Sequence, residues 1–415
     1  MNNYTIILII MALMISASAI AEKNKIPVPV LLILVGIAIG LIPSTPEMEL
    51  SPEVIMLIFL PPLLYDAAFN ISFKDFKTNM NTISALAVGL VFMTTAGIAV
   101  VAHFLIPGMT WPVSFVLGAI LSATDAVAAI GITKGLGLSH KTTTILEGES
   151  LVNDASALVA YRFAVAAVTG AAFFWWKAAL NFIAVLGGGF ITGFIISRLL
   201  AYVLRYFRSN DMFVISLMLL MPFVTYLIAE HFKVSGVIAV VVLGLSMSWL
   251  TREKFPDRLK EQSRNFWEII IFLLNGLIFI LIGLQFPIVL KKIDSAKLWS
   301  YVGYAAIITI VAFVIRLGRV YWQQLSLLRA FQGKRKVSEE ALYDSKTSLI
   351  ISWSGMRGIV SLAIAIGLPA TLENDQPFPM REDVIFISIV VVLFSLIGQG
   401  LTLPWLVRTI NKKSK

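Results

Sequence analysis

The feature that most constrains this chain is a succession of apolar stretches, each long enough to cross a lipid bilayer. About 20 apolar residues in a helix span the hydrocarbon core. Such stretches fall near 4–21, 28–43, 52–71, 82–106, 112–131, 143–168, 180–204, 211–230, 233–250, 265–288, 297–322, 347–369 and 383–407. Lipid offers no hydrogen bonds to an exposed backbone, so runs of this length fold as helices. The expectation is an all-α polytopic membrane protein with about 13 transmembrane helices. Thirteen spans take up about 260 residues, and the rest is short loops with no room for a soluble domain. Only 14% of the side chains are charged and 58% are hydrophobic, against about 25% charged in a soluble domain. That composition excludes a secreted enzyme, a nucleic-acid-binding protein and a disordered chain. The 4–21 stretch ends in Ala-Ser-Ala-Ile-Ala, like a signal peptide, but the first basic residue, Lys23, follows it. It is therefore read as a first membrane helix.

Loop charge orients the spans. With the N-terminus outside, 22 Lys and Arg residues lie in the inside segments and six in the outside loops. The positive-inside rule then places the C-terminus in the cytoplasm. An odd span count with opposite termini fits two inverted six-helix repeats joined by a linker helix, a common transporter plan. In that plan residues 1–411 form one transmembrane unit. The first repeat covers about 1–170, the linker helix about 180–204 and the second repeat about 211–411, with a short cytoplasmic tail at 412–415.

The charges inside the spans are the informative residues. A charge at mid-membrane costs roughly 2.5–3.5 kcal/mol even on the permissive insertion scale, so each needs a partner, water or a task. Asp66 lies in FLPPLLYDAAFN, Asp125 in LSATDAVAAIG, and Glu147, Glu149 and Asp154 in LEGESLVNDASALVAYR. On a helix Ser150 and Asp154 share a face, and Glu149 and Asn153 share the neighbouring one. These are hard oxygen donors, suited to alkali or alkaline-earth cations. Glu149 is the acid most suited to a structural ion pair with an arginine. In the twelfth span, TSLIISWSGMRGIVSLAIAIGLP, Gly355 and Gly358 flank Arg357. Glycines there loosen the helix, and a buried arginine offsets the negative end of a half-helix. The GGGFITGF string at 187–194 reads as helix packing. There is no cysteine, the three histidines have no metal-ligand spacing, and no GxxxxGK[ST] loop suggests ATP-driven pumping. Nothing asks for a cofactor beyond transported ions.

The strings SATDAVAA, EGESLVNDASA, NGLIFILIGLQ, IRLGR and SGMRGIVSLAIA resemble bacterial sodium/proton exchangers of the monovalent cation–proton antiporter superfamily. The similarity is to the electroneutral branch, which carries Asn-Asp where electrogenic relatives carry Asp-Asp. It runs from about 28 to 407. The resemblance implies crossed discontinuous helices at the midplane, from the fifth and twelfth spans, with Thr124 and Asp125 at the crossing. It implies Asp154 as the main carrier of cation and proton, Ser150 and Thr124 as oxygen donors to Na+, and Asn153 as a neutral partner. Asp66 would be an accessory acid, though relatives with Glu there have a longer reach. Glu149 would pair with a buried arginine, Arg316 first and Arg357 second. A homodimer in the bacterial cytoplasmic membrane is also implied, with a dimerisation domain and a moving core. Many relatives carry a large regulatory region after the last helix, whereas this chain ends in NKKSK.

The expected function is exchange of Na+ or Li+ for H+, one for one and electroneutral, by competition for Asp154. K+/H+ exchange is the serious competitor. A passive cation channel would also want buried acids, but not proton coupling. An intramembrane protease would need a GxGD partner for Tyr65-Asp66, which is not found, or a Ser–His dyad, for which His103 is the only histidine well inside a span. His140, beside Lys141, is read as an ordinary loop histidine in preference to a pH sensor.

Overall fold

A computed structural model describes residues 3–24, 27–42, 52–133, 136–169, 175–207, 210–332, 342–372 and 376–412. The lysine-rich last residues, 413–415, lie outside them. The chain runs α1 (Asn3–Asn24), α2 (Val28–Gly40), α3 (Pro52–Asn70), α4 (Phe73–Thr78) and α5 (Met80–Ser84). A π-helical stretch, Ala85–Leu90, joins α5 to α6 (Val91–Leu105) as one rod. Then come α7 (Trp111–Ile120), α8 (Ala126–Thr133), α9 (His140–Val168), α10 (Trp175–Phe207), α11 (Asp211–His231), α12 (Gly236–Lys254) and α13 (Asp257–Lys292). The chain finishes with α14 (Leu298–Gln332), α15 (Ser345–Trp353), α16 (Ile359–Ile366) and α17 (Arg381–Lys412).

Every apolar stretch of the sequence falls on one of these helices or on a pair of them. Among the described residues, seven helices are long and apolar enough to cross a membrane by length and composition. Several outrun their apolar stretch. Thus α13 begins at Asp257 and α14 ends at Gln332, because hydropathy marks only the part that lipid touches. Two stretches, 112–131 and 347–369, are each split into two half-helices.

The outer faces are greasy. Leu180, Ile183, Ile191, Ile195 and Leu199 on α10, and Ile310 and Val314 on α14, are exposed. In water such faces would mark an aggregate or an interface; in a polytopic membrane protein lipid covers them. Between helices, close approach replaces the hydrophobic drive that lipid removes. Helices α2 and α13 touch through Gly36 and Gly283, where a Cβ on either would overlap the carbonyl of the facing helix, Ile280 or Ile33. The GGGFITGF string does the same for α10 and α12, with Gly189 and Gly193 against the carbonyls of Ser235 and Ala239.

Gly36→Val should therefore force α2 off α13. The expected cost is on the order of 1–3 kcal/mol of overpacking, read as a lowered Tm of the detergent-purified protein. Gly303→Val, where a Cβ meets nothing, should leave Tm unchanged.

Candidate functional site

The two split spans cross at their breaks. After α7 the segment 121–125, Leu-Ser-Ala-Thr-Asp, leaves the helix, as expected where Ser, Thr and Asp compete for backbone groups. Ser122 turns its hydroxyl back to the Ala119 carbonyl at 2.8 Å. Asp125 then starts α8 as its N-cap, one carboxylate oxygen accepting from the Ala128 amide at 3.1 Å. The second break, 354–358, is Ser-Gly-Met-Arg-Gly. The Asp125 amide donates to the Met356 carbonyl at 2.7 Å. Its other carboxylate oxygen accepts from the Ile359 amide, at the head of α16, at 3.4 Å. One carboxylate thus meets the positive ends of two half-helices.

The negative ends are met by arginines. Arg357 donates from Nε to the Leu121 carbonyl, just past the end of α7, at 2.6 Å. Arg316, on α14, reaches the Ile351 carbonyl in the last turn of α15 from Nε and Nη2, at 3.1 and 3.0 Å. The same guanidinium forks onto Glu149 at 2.5 and 2.9 Å, and both side chains are buried. Glu149 therefore pairs with Arg316, and Arg357 as its alternative partner is corrected: it is held at the end of α7 instead. Gly355 and Gly358 leave no space for a side chain. A Cβ on Gly355 would overlap the Arg316 guanidinium, and one on Gly358 the Asp125 carboxylate. Loosening the helix is thus only part of their role, since each also admits a charged group to a half-helix end.

Helix α9 docks onto the first break along the face read from its spacing. Ser150 Oγ donates to the Thr124 carbonyl at 3.1 Å and accepts from the Ala126 amide at 3.4 Å. Asn153 Nδ2 donates to Thr124 Oγ1 at 2.6 Å, and its Oδ1 accepts from the Thr124 amide at 3.4 Å. Thr124 Oγ1 in turn donates to Glu149 at 3.2 Å. One helical turn beyond Ser150, Asp154 is buried and its Oδ1 has no hydrogen-bond partner.

Asp154, Asp125, Thr124 and Ser150 all border one cavity of about 50 Å³, with Gly358 and Leu60 among its other walls. That volume holds one or two water-sized occupants, at about 30 Å³ each. Asn153 and Glu149 are buried beside it and do not line it. Asp66 is not among the lining residues either; its Oδ1 accepts from Asn70 at 3.1 Å. Asn275, on α13, lines the cavity and was not singled out from the sequence. It lies in the NGLIFILIGLQ string, where a lone Asn before a long apolar run was the available signal. A second cavity of about 710 Å³ shares Asp125, Asn275 and Ile359 with the first and extends to Glu22 and Arg408.

His140, at the head of α9, contacts Asp75 of α4 at 3.0 Å. That hydrogen bond holds the Asp75 carboxyl below the ordinary carboxylate range. A depressed acid stabilises the fold above its unfolded pKa, about 3.9, and loses that contribution as pH falls through the folded value. Both groups are solvent-accessible, so the contribution is small.

A buried carboxylate beside two interrupted, crossing helices is the arrangement of a secondary transporter. The comparisons agree, and the chain belongs to the sodium/hydrogen exchanger family: the model described as "Sodium/hydrogen exchanger, transmembrane" matches residues 7–409. A sodium, potassium, lithium and rubidium/H+ antiporter of Bacillus pumilus is 35% identical over 380 residues. That match covers 89% of this chain and 56% of the relative, so the chain spans little more than half of that protein's length. The Na+/H+ antiporter NhaH of Halobacillus aidingensis is 32% identical, over 88% of this chain and 85% of its own. The structure of the sodium proton antiporter MjNhaP1 from Methanocaldococcus jannaschii at pH 8 superposes with a TM-score of 0.69, at 20% identity and 97% coverage of both chains, and so shares the fold.

Arg316→Ala should leave Glu149 buried without a partner, a loss of roughly 3–5 kcal/mol. Arg316→Ala combined with Glu149→Gln should recover part of it. Tm of the purified single and double variants checks this, and equal Tm values for both would refute the pairing. Asp75→Asn should lower Tm slightly at neutral pH, and the difference should start to shrink below the unfolded pKa of about 3.9 and vanish only once pH has fallen through the lower folded value.

Proposed function

We propose that this chain exchanges Na+ or Li+ for H+ across the bacterial cytoplasmic membrane, one for one, with Asp154 carrying either ion. The observation that carries the reading is the Asp154 oxygen left without a partner at a small cavity. The surrounding charges support it. Arg316 and Arg357 balance Glu149 and Asp125, and the ends of the four half-helices are met by the same groups. Asp154 is then the one charge of the constellation with no protein counterpart. Left bare, it is costly to move through the midplane. Loaded with one proton or one monovalent cation it is neutral, and the loaded forms are the ones that cross.

That rule makes the exchange obligatory and sets its stoichiometry. Asn153 cannot titrate, so it adds no second proton. Thr124 and Ser150 bring oxygens to the cavity wall, and the cation trades its hydration for them and for the carboxylate. The larger cavity supplies a route toward the end of the molecule that loop charge places in the cytoplasm. The N-terminus is then outside and the C-terminus inside. Alternating access moves the crossing and α9 relative to the rest, in a homodimer of two inverted repeats per chain.

A second cation is favoured by one finding. The Bacillus pumilus relative is named for potassium and rubidium as well as sodium and lithium, so K+ belongs in the test. Purified protein in liposomes with a pH-sensitive dye should move protons on addition of Na+ or Li+, at a rate unchanged by imposed voltage. Asp154→Asn should abolish the movement. A response to K+ alone would keep the mechanism and change the substrate. Flux that follows voltage, or that survives in Asp154→Asn, would overturn the reading.

A further inference from the structure

Two polar side chains at the small cavity carry an oxygen with no hydrogen-bond partner: Asp154, on α9, and Asn275, on α13. The other polar groups bordering it are engaged. The Thr124 carbonyl accepts from Ser150, Ser150 also accepts from Ala126, and the Asp125 carboxylate holds two amides. Ser361 donates to the Ala123 carbonyl. Asn275 thus differs from its neighbours in having an oxygen that the fold does not use. It stands in an otherwise apolar helical run, Phe272 to Leu284 broken by two glycines, where a leucine would fill the place with no polar atom to satisfy. It also borders both cavities, so an ion passing between them passes Asn275.

We infer that Asn275 is a cation-coordinating residue, whose amide oxygen joins the Asp154 carboxylate around the dehydrated ion. The inference rests on the exchanger reading and extends it. A neutral amide adds a hard oxygen ligand without adding charge, so the charge balance of the site is unchanged. A proton on Asp154 needs no second oxygen, whereas a metal ion needs several. Asn275 therefore favours the cation over the proton. Because it comes from α13, outside the two broken helices and α9, it also sets how wide an ion the cavity closes upon.

The test uses the full chain, with Na+ itself as the probe and two independent readouts. In detergent, Na+-dependent thermal stabilisation gives the half-saturating concentration. In liposomes, proton flux gives KM for Na+ and the pH midpoint at low Na+. For Asn275→Leu, half-saturation and KM should rise about tenfold or more, the loss of one contact to a charged ligand. The pH midpoint should stay where it is. Asn275→Asp, which restores an oxygen, should return KM toward the original value, and it guards against a leucine variant that fails to fold. It should also make flux voltage-sensitive, because a second charge now sits in the cavity. Unchanged half-saturation in both variants, or a lower Vmax with unchanged KM, would overturn the inference and leave the exchanger standing. If the unsubstituted protein neither binds nor exchanges Na+, Li+ or K+, the exchanger reading falls and this inference falls with it.

Discussion

The structure turns on one carboxylate shared by two helices. Asp125 accepts from the first turn of α8 and from the head of α16, while its own amide donates to the second break. Breaking a helix inside lipid exposes backbone donors and acceptors that water cannot reach. Two breaks placed against each other answer that problem mutually, with Asp125 on the donor ends and Arg357 and Arg316 on the acceptor ends. The broken segments are tolerable because they cross, and they cross because these three charged groups tie them together.

That solution leaves a distinctive electrostatic residue. The arginines that close the helix ends also balance Asp125 and Glu149, so the crossing is close to neutral before Asp154 is counted. Helix α9 is fixed to the first break by Ser150, Asn153 and Glu149, all reaching Thr124. This docking sets Asp154 one turn further along, in a cavity with room for little more than an ion and a water. The same network that makes the breaks stable also isolates the titratable group that the proposed exchange requires. Because Arg316 serves both Glu149 and the end of α15, stability and site geometry are coupled through one side chain.

Much of this was legible in the chain. Apolar length gave the helices, since a bilayer allows few alternatives. The period of the helix put Ser150 with Asp154 and Glu149 with Asn153. The Thr-Asp pair and the two glycines about Arg357 marked where helices would fail. What was not legible was pairing over long separation. Glu149 and Arg316 are 167 positions apart, and no local pattern distinguishes Arg316 from Arg357 as the partner. Asp66 shows the converse: a half-buried acid in the right kind of string does not thereby line the cavity, because one turn of α3 decides which side chains face it. Asn275 was passed over because a single amide carries no periodic signal.

The sequence by itself determined that this is an all-helical membrane protein and which residues of α9 share a face, while the family resemblance implied where two spans break. The first two follow from local physics: hydrocarbon thickness and 3.6 residues per turn. Only the tertiary structure decided which arginine closes which helix end, which acid is left without a partner, and that an asparagine on α13 shares its cavity. Those outcomes depend on distances between helices far apart in the chain, set by how closely glycines such as Gly36, Gly283, Gly355 and Gly358 let neighbouring groups approach.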